Sequence, residues 1–152
     1  MNDDAFRVLD LAMQGFQCSQ ILVQISLEAQ GKENPELVSA MTGLTGGMGS
    51  GKTCGALTGG CCVLGLYAGK SSAEQNADDR LQTMQTRFVE WFETGYTARF
   101  GSIECAGIVQ DDMRNRMARC PTIVMESLEK LKEILDEHNY EFSNPTPSDQ
   151  PR

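Results

Sequence analysis

The segment from Cys54 to Ala68 (Cys-Gly-Ala-Leu-Thr-Gly-Gly-Cys-Cys-Val-Leu-Gly-Leu-Tyr-Ala) restricts the fold more than any other part of the chain. It is apolar or small throughout, yet it carries Gly55, Gly59, Gly60 and Gly65. Each glycine costs a helix about 1 kcal/mol against alanine. A helix over Thr53 to about Tyr67 therefore needs an offsetting gain, and small residues supply one by letting a neighbouring backbone approach. The segment is expected to be a central buried helix enclosed by others.

The remaining periodicity is helical, and no segment alternates with period two. Phe6, Leu9, Met13 and Phe16 recur at helical spacing after Asn2-Asp3-Asp4, which can cap a start. Gly15 interrupts, and a second helix is expected from Cys18 to Gly31. Asn34-Pro35 opens a short third helix through Met41. Gly43 to Gly51 reads as a loop. Ser71 to Glu74 fits a capping box for the next helix, whose stripe is Leu81, Met84, Phe88, Trp91 or Phe92, Tyr96 and Phe100. A short helix near Cys105 to Met117 and a last one starting at Pro121 complete the pattern. The expectation is an all-α, single-domain bundle of about five to six helices over residues 1–140. A tail, 141–152, rich in proline after Asn144, is expected to be disordered.

A net charge of −8 and scattered basic residues argue against nucleic acid. The acidic Met1 to Asp4 stretch is unlike a signal peptide. No run reaches the roughly 18 apolar residues of a membrane span. These features point to a cytoplasmic protein without a membrane partner. Gly46 to Thr53 matches G-x-x-x-x-G-K-[ST] to the letter, but that phosphate-binding motif needs a preceding buried strand. Val38 to Thr45 is too poor in β-branched apolar residues to be one, so no nucleotide is expected despite Lys52 and Thr53.

Six cysteines and one histidine in a reducing compartment point to metal or redox chemistry rather than structural disulfides. Cys18, Cys54, Cys105 and Cys120 each sit where a helix start is expected. Free N–H groups and the helix dipole favour thiolate there, the form that binds metal and attacks electrophiles. Four thiolates held together need a shared cation or disulfide pairing. Cys61 lies about 20° from Cys54 around a helix and is an additional candidate ligand; Cys62 lies about 80° away and is not. His138, near the end of the last helix, reads as a surface residue.

The motif Cys54-Gly55-Ala56-Leu57-Thr58-Gly59, after Gly46-Gly47-Met48-Gly49, resembles that of the bacterial and archaeal family C_GCAxxG_C_C. Its four characteristic cysteines resemble Cys18 (in Phe16-Gln17-Cys18-Ser19-Gln20), Cys54, Cys105 (after Phe100-Gly101-Ser102-Ile103-Glu104) and Cys120. The resemblance spans about residues 5 to 135. It implies a helical domain with a redox or metal role, an iron–sulfur centre being the foremost cofactor. Electron transfer with an unidentified redox partner protein is the expected function. Two alternatives stay open: a thiol–disulfide oxidoreductase using Cys54 with a second cysteine, and a structural zinc domain. Homo-oligomers through glycine-faced helices also stay open.

Overall fold

A computed structural model describes residues 2–145, which form seven α-helices with no β-strand among the described residues. They are α1 (Asp3–Met13), α2 (Cys18–Ala29), α3 (Pro35–Ala40), α4 (Gly55–Ala68), α5 (Arg80–Phe100), α6 (Cys105–Val109) and α7 (Met113–Glu137). Five are long; α3 and α6 are one- to two-turn segments. The fold is an all-α, single-domain bundle, as the periodicity implied.

Helix α4 is its centre, packed against α2, α5 and α7. Ala56, Val63, Leu64, Tyr67 and Ala68 are completely buried. The glycines earn their place by close approach. A Cβ on Gly59 would stand 2.7 Å from Ser19 Cα in α2, and one on Gly60 would stand 2.3 Å from the Phe88 ring in α5. Helix α5 contributes the expected stripe, with Met84, Phe88, Phe92 and Tyr96 buried. Phe92 rather than Trp91 is the fully buried member of that pair.

Three expectations need correction. In α1 the buried face is Ala5, Val8 and Leu11, while Phe6, Leu9 and Met13 point outward. Both sets have helical spacing, and periodicity alone cannot say which one the bundle covers. Residues 69–79 are irregular, so α5 begins at Arg80 and not at the Ser71 box; Gln75 instead accepts from the amide and hydroxyl of Ser71. Helix α7 begins at Met113, eight residues before Pro121. A proline inside a helix removes one hydrogen bond and usually costs about 3 kcal/mol. Here the long apolar face of Ile123, Val124, Leu128, Leu131 and Leu135 keeps the helix continuous through it.

The chain stays packed beyond α7. Tyr140 is buried, Phe142 stacks on Tyr67 at 5.8 Å, and the Tyr67 hydroxyl donates to the Phe142 carbonyl. Folded structure thus continues past residue 140; the end of the tail expected to be disordered, 146–152, lies outside the described residues. No helix among the described residues is long and apolar enough to cross a membrane.

Candidate redox centre

The glycine-rich loop is built to turn. Gly46, Gly47, Met48, Gly49 and Gly51 all have φ between 59° and 69°. This left-handed region costs an L-residue about 1–2 kcal/mol. Near-continuous glycine makes it accessible, with exposed Met48 the exception. The coil closes on itself: Lys52 donates its amide to the Gly47 carbonyl at 3.1 Å. Lys52 and Thr53 are then extended, not the first turn of a helix, and a short 3₁₀ turn (Met41–Leu44) stands upstream where a P-loop has a strand.

That extended stretch performs the first assembly step. Thr53 pairs with Glu104 in an isolated antiparallel bridge. The Cys54 amide donates to Ile103 O at 2.9 Å, and the Cys105 amide donates to Lys52 O at 2.7 Å. Neighbours in extended chain face alternate sides. Cys54 and Cys105 therefore project from the same side of the bridge, opposite Thr53 and Glu104. Both then lead into helices: Cys54 is the N-cap of α4, and Cys105 is the first residue of α6.

Cys18 comes from the start of α2. Gln17 and Gln20 form a capping box there, and the buried Ser19 hydroxyl donates to Met41 O at 2.8 Å. Gly55 leaves room for the thiol: a Cβ at that position would stand 2.4 Å from Cys18 Sγ. Cys120 comes from the interior of α7. It is not at a helix start, contrary to expectation, because α7 begins upstream of Pro121. Arg119 ties α7 to α6 by donating to Ile108 O at 2.7 Å, and Asn115 does so through Val109 O at 3.1 Å.

Cys18, Cys54, Cys105 and Cys120 line one cavity, closed by apolar Ala56, Ile108, Val109 and Ile123 and by Gly46 and Gly55. Its free volume is about 20 Å³, room for about one water molecule. The lining has one charged side chain, Arg116, and neither carboxylate nor imidazole. No motif marked Arg116 in advance; only the path of α7 reveals it.

The electrostatics revise the thiolate expectation. Burial pushes Cys54 up to about 12, against the Ala56 amide, and neighbouring thiols add to the rise. Burial pushes Cys120 up to about 11, with Arg116 opposing. Cys18 is also raised by burial, against the amides of Ser19 and Gly46 and against Arg116. These three rest as thiols near neutral pH, because desolvation outweighs the backbone amides at Cys18 and Cys54 and the Arg116 charge at Cys120. Among the described residues no three His, Cys, Asp or Glu side chains are gathered tightly enough to hold a single metal ion.

Cys61 and Cys62 stand apart. Neither lines the cavity; Cys61 is half-buried and Cys62 is exposed. Cys61 shares the Cys54 side of α4, but seven residues carry it about 10 Å along the axis. His138 is equally remote, its Nδ1 lying 2.7 Å from Ile134 O at the end of α7.

No curated protein and no solved structure matches the chain. A family described as "Putative redox-active protein (C_GCAxxG_C_C)" matches residues 16–134, a span holding all six cysteines and every residue of the cavity. The chain belongs to the C_GCAxxG_C_C family of redox-active proteins.

Proposed function

We propose that this protein carries electrons through an iron–sulfur centre held by Cys18, Cys54, Cys105 and Cys120, in a reducing cytosol. The observation that carries the reading is the convergence of four thiols on one cavity without a competing carboxylate or histidine. Soft sulfur ligands favour iron–sulfur clusters, zinc or copper(I). Four cysteines are the usual complement of a [2Fe–2S] or [4Fe–4S] cluster, so the donor chemistry fits. A cluster shares its four thiolates among several irons. Zinc needs all four on one ion, and among the described residues no group of three or more His, Cys, Asp or Glu side chains is placed to hold one. When bound, the cluster would supply a one-electron couple.

The chain's own residues do the rest. The Thr53–Glu104 bridge orients Cys54 and Cys105 together. The Ser19 hydroxyl fixes the start of α2 and with it Cys18. Apolar walls limit the water in the cavity to about one molecule. Ligation requires the thiols to lose their protons, and a free space of only about 20 Å³ requires the four side chains to spread.

That narrowness favours a second reading, thiol–disulfide exchange between Cys54 and a second cysteine of the cavity. There two thiols would give up two protons and two electrons to a partner disulfide, which is reduced to two thiols.

Iron, zinc and acid-labile sulfide analysis of anaerobically purified protein separates the readings. Iron and sulfide with visible absorption support the cluster. Metal-free protein that loses two thiols reversibly on oxidation supports exchange. Single Cys→Ser variants then assign the ligands: loss of iron in the four, with retention in Cys62→Ser, is expected. Full iron in Cys105→Ser and Cys120→Ser, with loss in Cys61→Ser and Cys62→Ser, would overturn the assignment.

A further inference from the structure

Helix α7 carries three arginines near the candidate centre, and two are engaged elsewhere. Arg114 pairs with Asp112 at 3.1 Å and is 91% exposed. Arg119 donates to Ile108 O and lies 4.8 Å over the Phe100 ring. Arg116 is half-buried and lines the cavity, and no ion pair or side-chain hydrogen bond engages it among the described residues. Partly desolvating a guanidinium without a counter-charge is costly. The cavity offers no carboxylate to compensate. Within the cavity lining, the groups able to carry negative charge are the four cysteines.

We propose that Arg116 sets the reduction potential of the four-cysteine centre by stabilising its more negative, reduced state. This rests on the iron–sulfur reading above. One-electron reduction adds one negative charge to the centre without making or breaking a bond to the protein, the electron coming from a low-potential donor such as dithionite. A cation beside the cavity attracts the reduced state more strongly than the oxidised one. In a partly water-excluded site that attraction exceeds its value in bulk water. The cation therefore raises the potential. Arg116 acts through the centre and is a tuning residue, not a ligand.

The test is a dithionite titration, followed by visible absorption, of the iron-loaded parent and of Arg116→Gln, Arg116→Met, Arg116→Lys and Arg114→Gln. The neutral Arg116 variants should be harder to reduce by at least about tenfold in the electron-transfer equilibrium, about 59 mV for one electron. Arg116→Lys should stay near the parent. Arg114→Gln removes the same charge from an exposed position and should shift far less, because solvent screens it. A shift in Arg116→Gln no larger than that in Arg114→Gln overturns the proposal. So does failure of both neutral variants to assemble the centre, which would make Arg116 a requirement for assembly instead. A parent without any iron-based couple overturns the iron–sulfur reading itself and this proposal with it. That outcome is visible in the parent before any Arg116 variant is made.

Discussion

Two glycines of the same helix should respond oppositely to the same substitution. Gly59→Ala places a methyl group 2.7 Å from Ser19 Cα and 2.8 Å from Ser19 Cβ, where ordinary contact begins at 3.4 Å. Helices α2 and α4 must part by about 0.7 Å at this point, the difference between those distances. Ser19 cannot rotate away: the contact is partly with its backbone, and its hydroxyl is held by Met41 O. Overpacking of this kind costs about 1–3 kcal/mol. The gain in helix propensity returns about 1 kcal/mol, leaving Gly59→Ala about 0–2 kcal/mol less stable than the parent. Gly65→Ala collects the same propensity gain with nothing within 4 Å of its new Cβ, and should be more stable than the parent. Propensity cancels between the two variants, so their difference isolates the overpacking term of about 1–3 kcal/mol. At about 2–4 °C per kcal/mol for a chain of this length, Gly59→Ala should melt about 2–12 °C below Gly65→Ala. Thermal unfolding followed by circular dichroism measures this directly. A Gly59→Ala variant melting at or above Gly65→Ala would show that α2 does not press on α4 there. The account of the central helix would then fail.

Two further outcomes are expected. Asp78 accepts from Arg80 Nη2 at 2.7 Å and from the Tyr140 hydroxyl at 2.6 Å, with its side chain only 7% exposed. The Arg80 hydrogen bond, helped by Tyr140, holds this carboxyl well below the usual range. A depressed pKa gives stability that is complete above the unfolded value of about 3.9 and is lost as pH falls through the folded one. Asp78→Asn should thus destabilise by about 1–3 kcal/mol at neutral pH, and the gap should narrow below about pH 4. A gap in melting temperature that does not change with pH would refute the linkage. For the loop, calorimetric titration of ATP or GTP with magnesium should show no binding in the millimolar range or tighter. Lys52 and Thr53 are extended and tied to residues 104–105. Saturable binding abolished by Lys52→Ala would contradict that.

The sequence was most informative where a single physical rule governed the outcome. Glycines in one apolar segment had to be offset by close packing, and three of the four, Gly55, Gly59 and Gly60, lie against Cys18, Ser19 and Phe88, while Gly65 faces open space. Where two rules competed, it was not. Helical spacing in α1 allows either Phe6-Leu9-Met13 or Ala5-Val8-Leu11 to face inward, and the second set is buried. Pro121 fits a helix start, but the apolar face of α7 outweighs that local preference. The four candidate cysteines could be named from the motif and their neighbours. Their meeting could not be read, since it depends on the Thr53–Glu104 bridge and on the long α7. Arg116 was invisible for the same reason: one arginine among several becomes distinctive only when the fold leaves it facing thiols.

Four cysteines expected at helix starts suggested preformed thiolates, but burial holds Cys18, Cys54 and Cys120 as thiols. The walls that limit water in the cavity also remove the solvation a thiolate needs, and one or two amide donors do not replace it. The same enclosure would act differently if a positively charged centre took the place of the protons. Each sulfur would then have a cationic partner, and low polarity would strengthen that attraction. Apolar walls that keep Cys18, Cys54 and Cys120 protonated would thus favour the ligated form as well. On the iron–sulfur reading proposed above, the amides facing Cys18 and Cys54 would contribute in that second state, as hydrogen bonds to sulfur of the kind that help set the potential of iron–sulfur centres. On that reading the positions at helix starts matter less for making the cysteines reactive than for tuning the centre they would form. Cys120, which lacks such a start, has Arg116 one turn earlier in α7 supplying the positive charge.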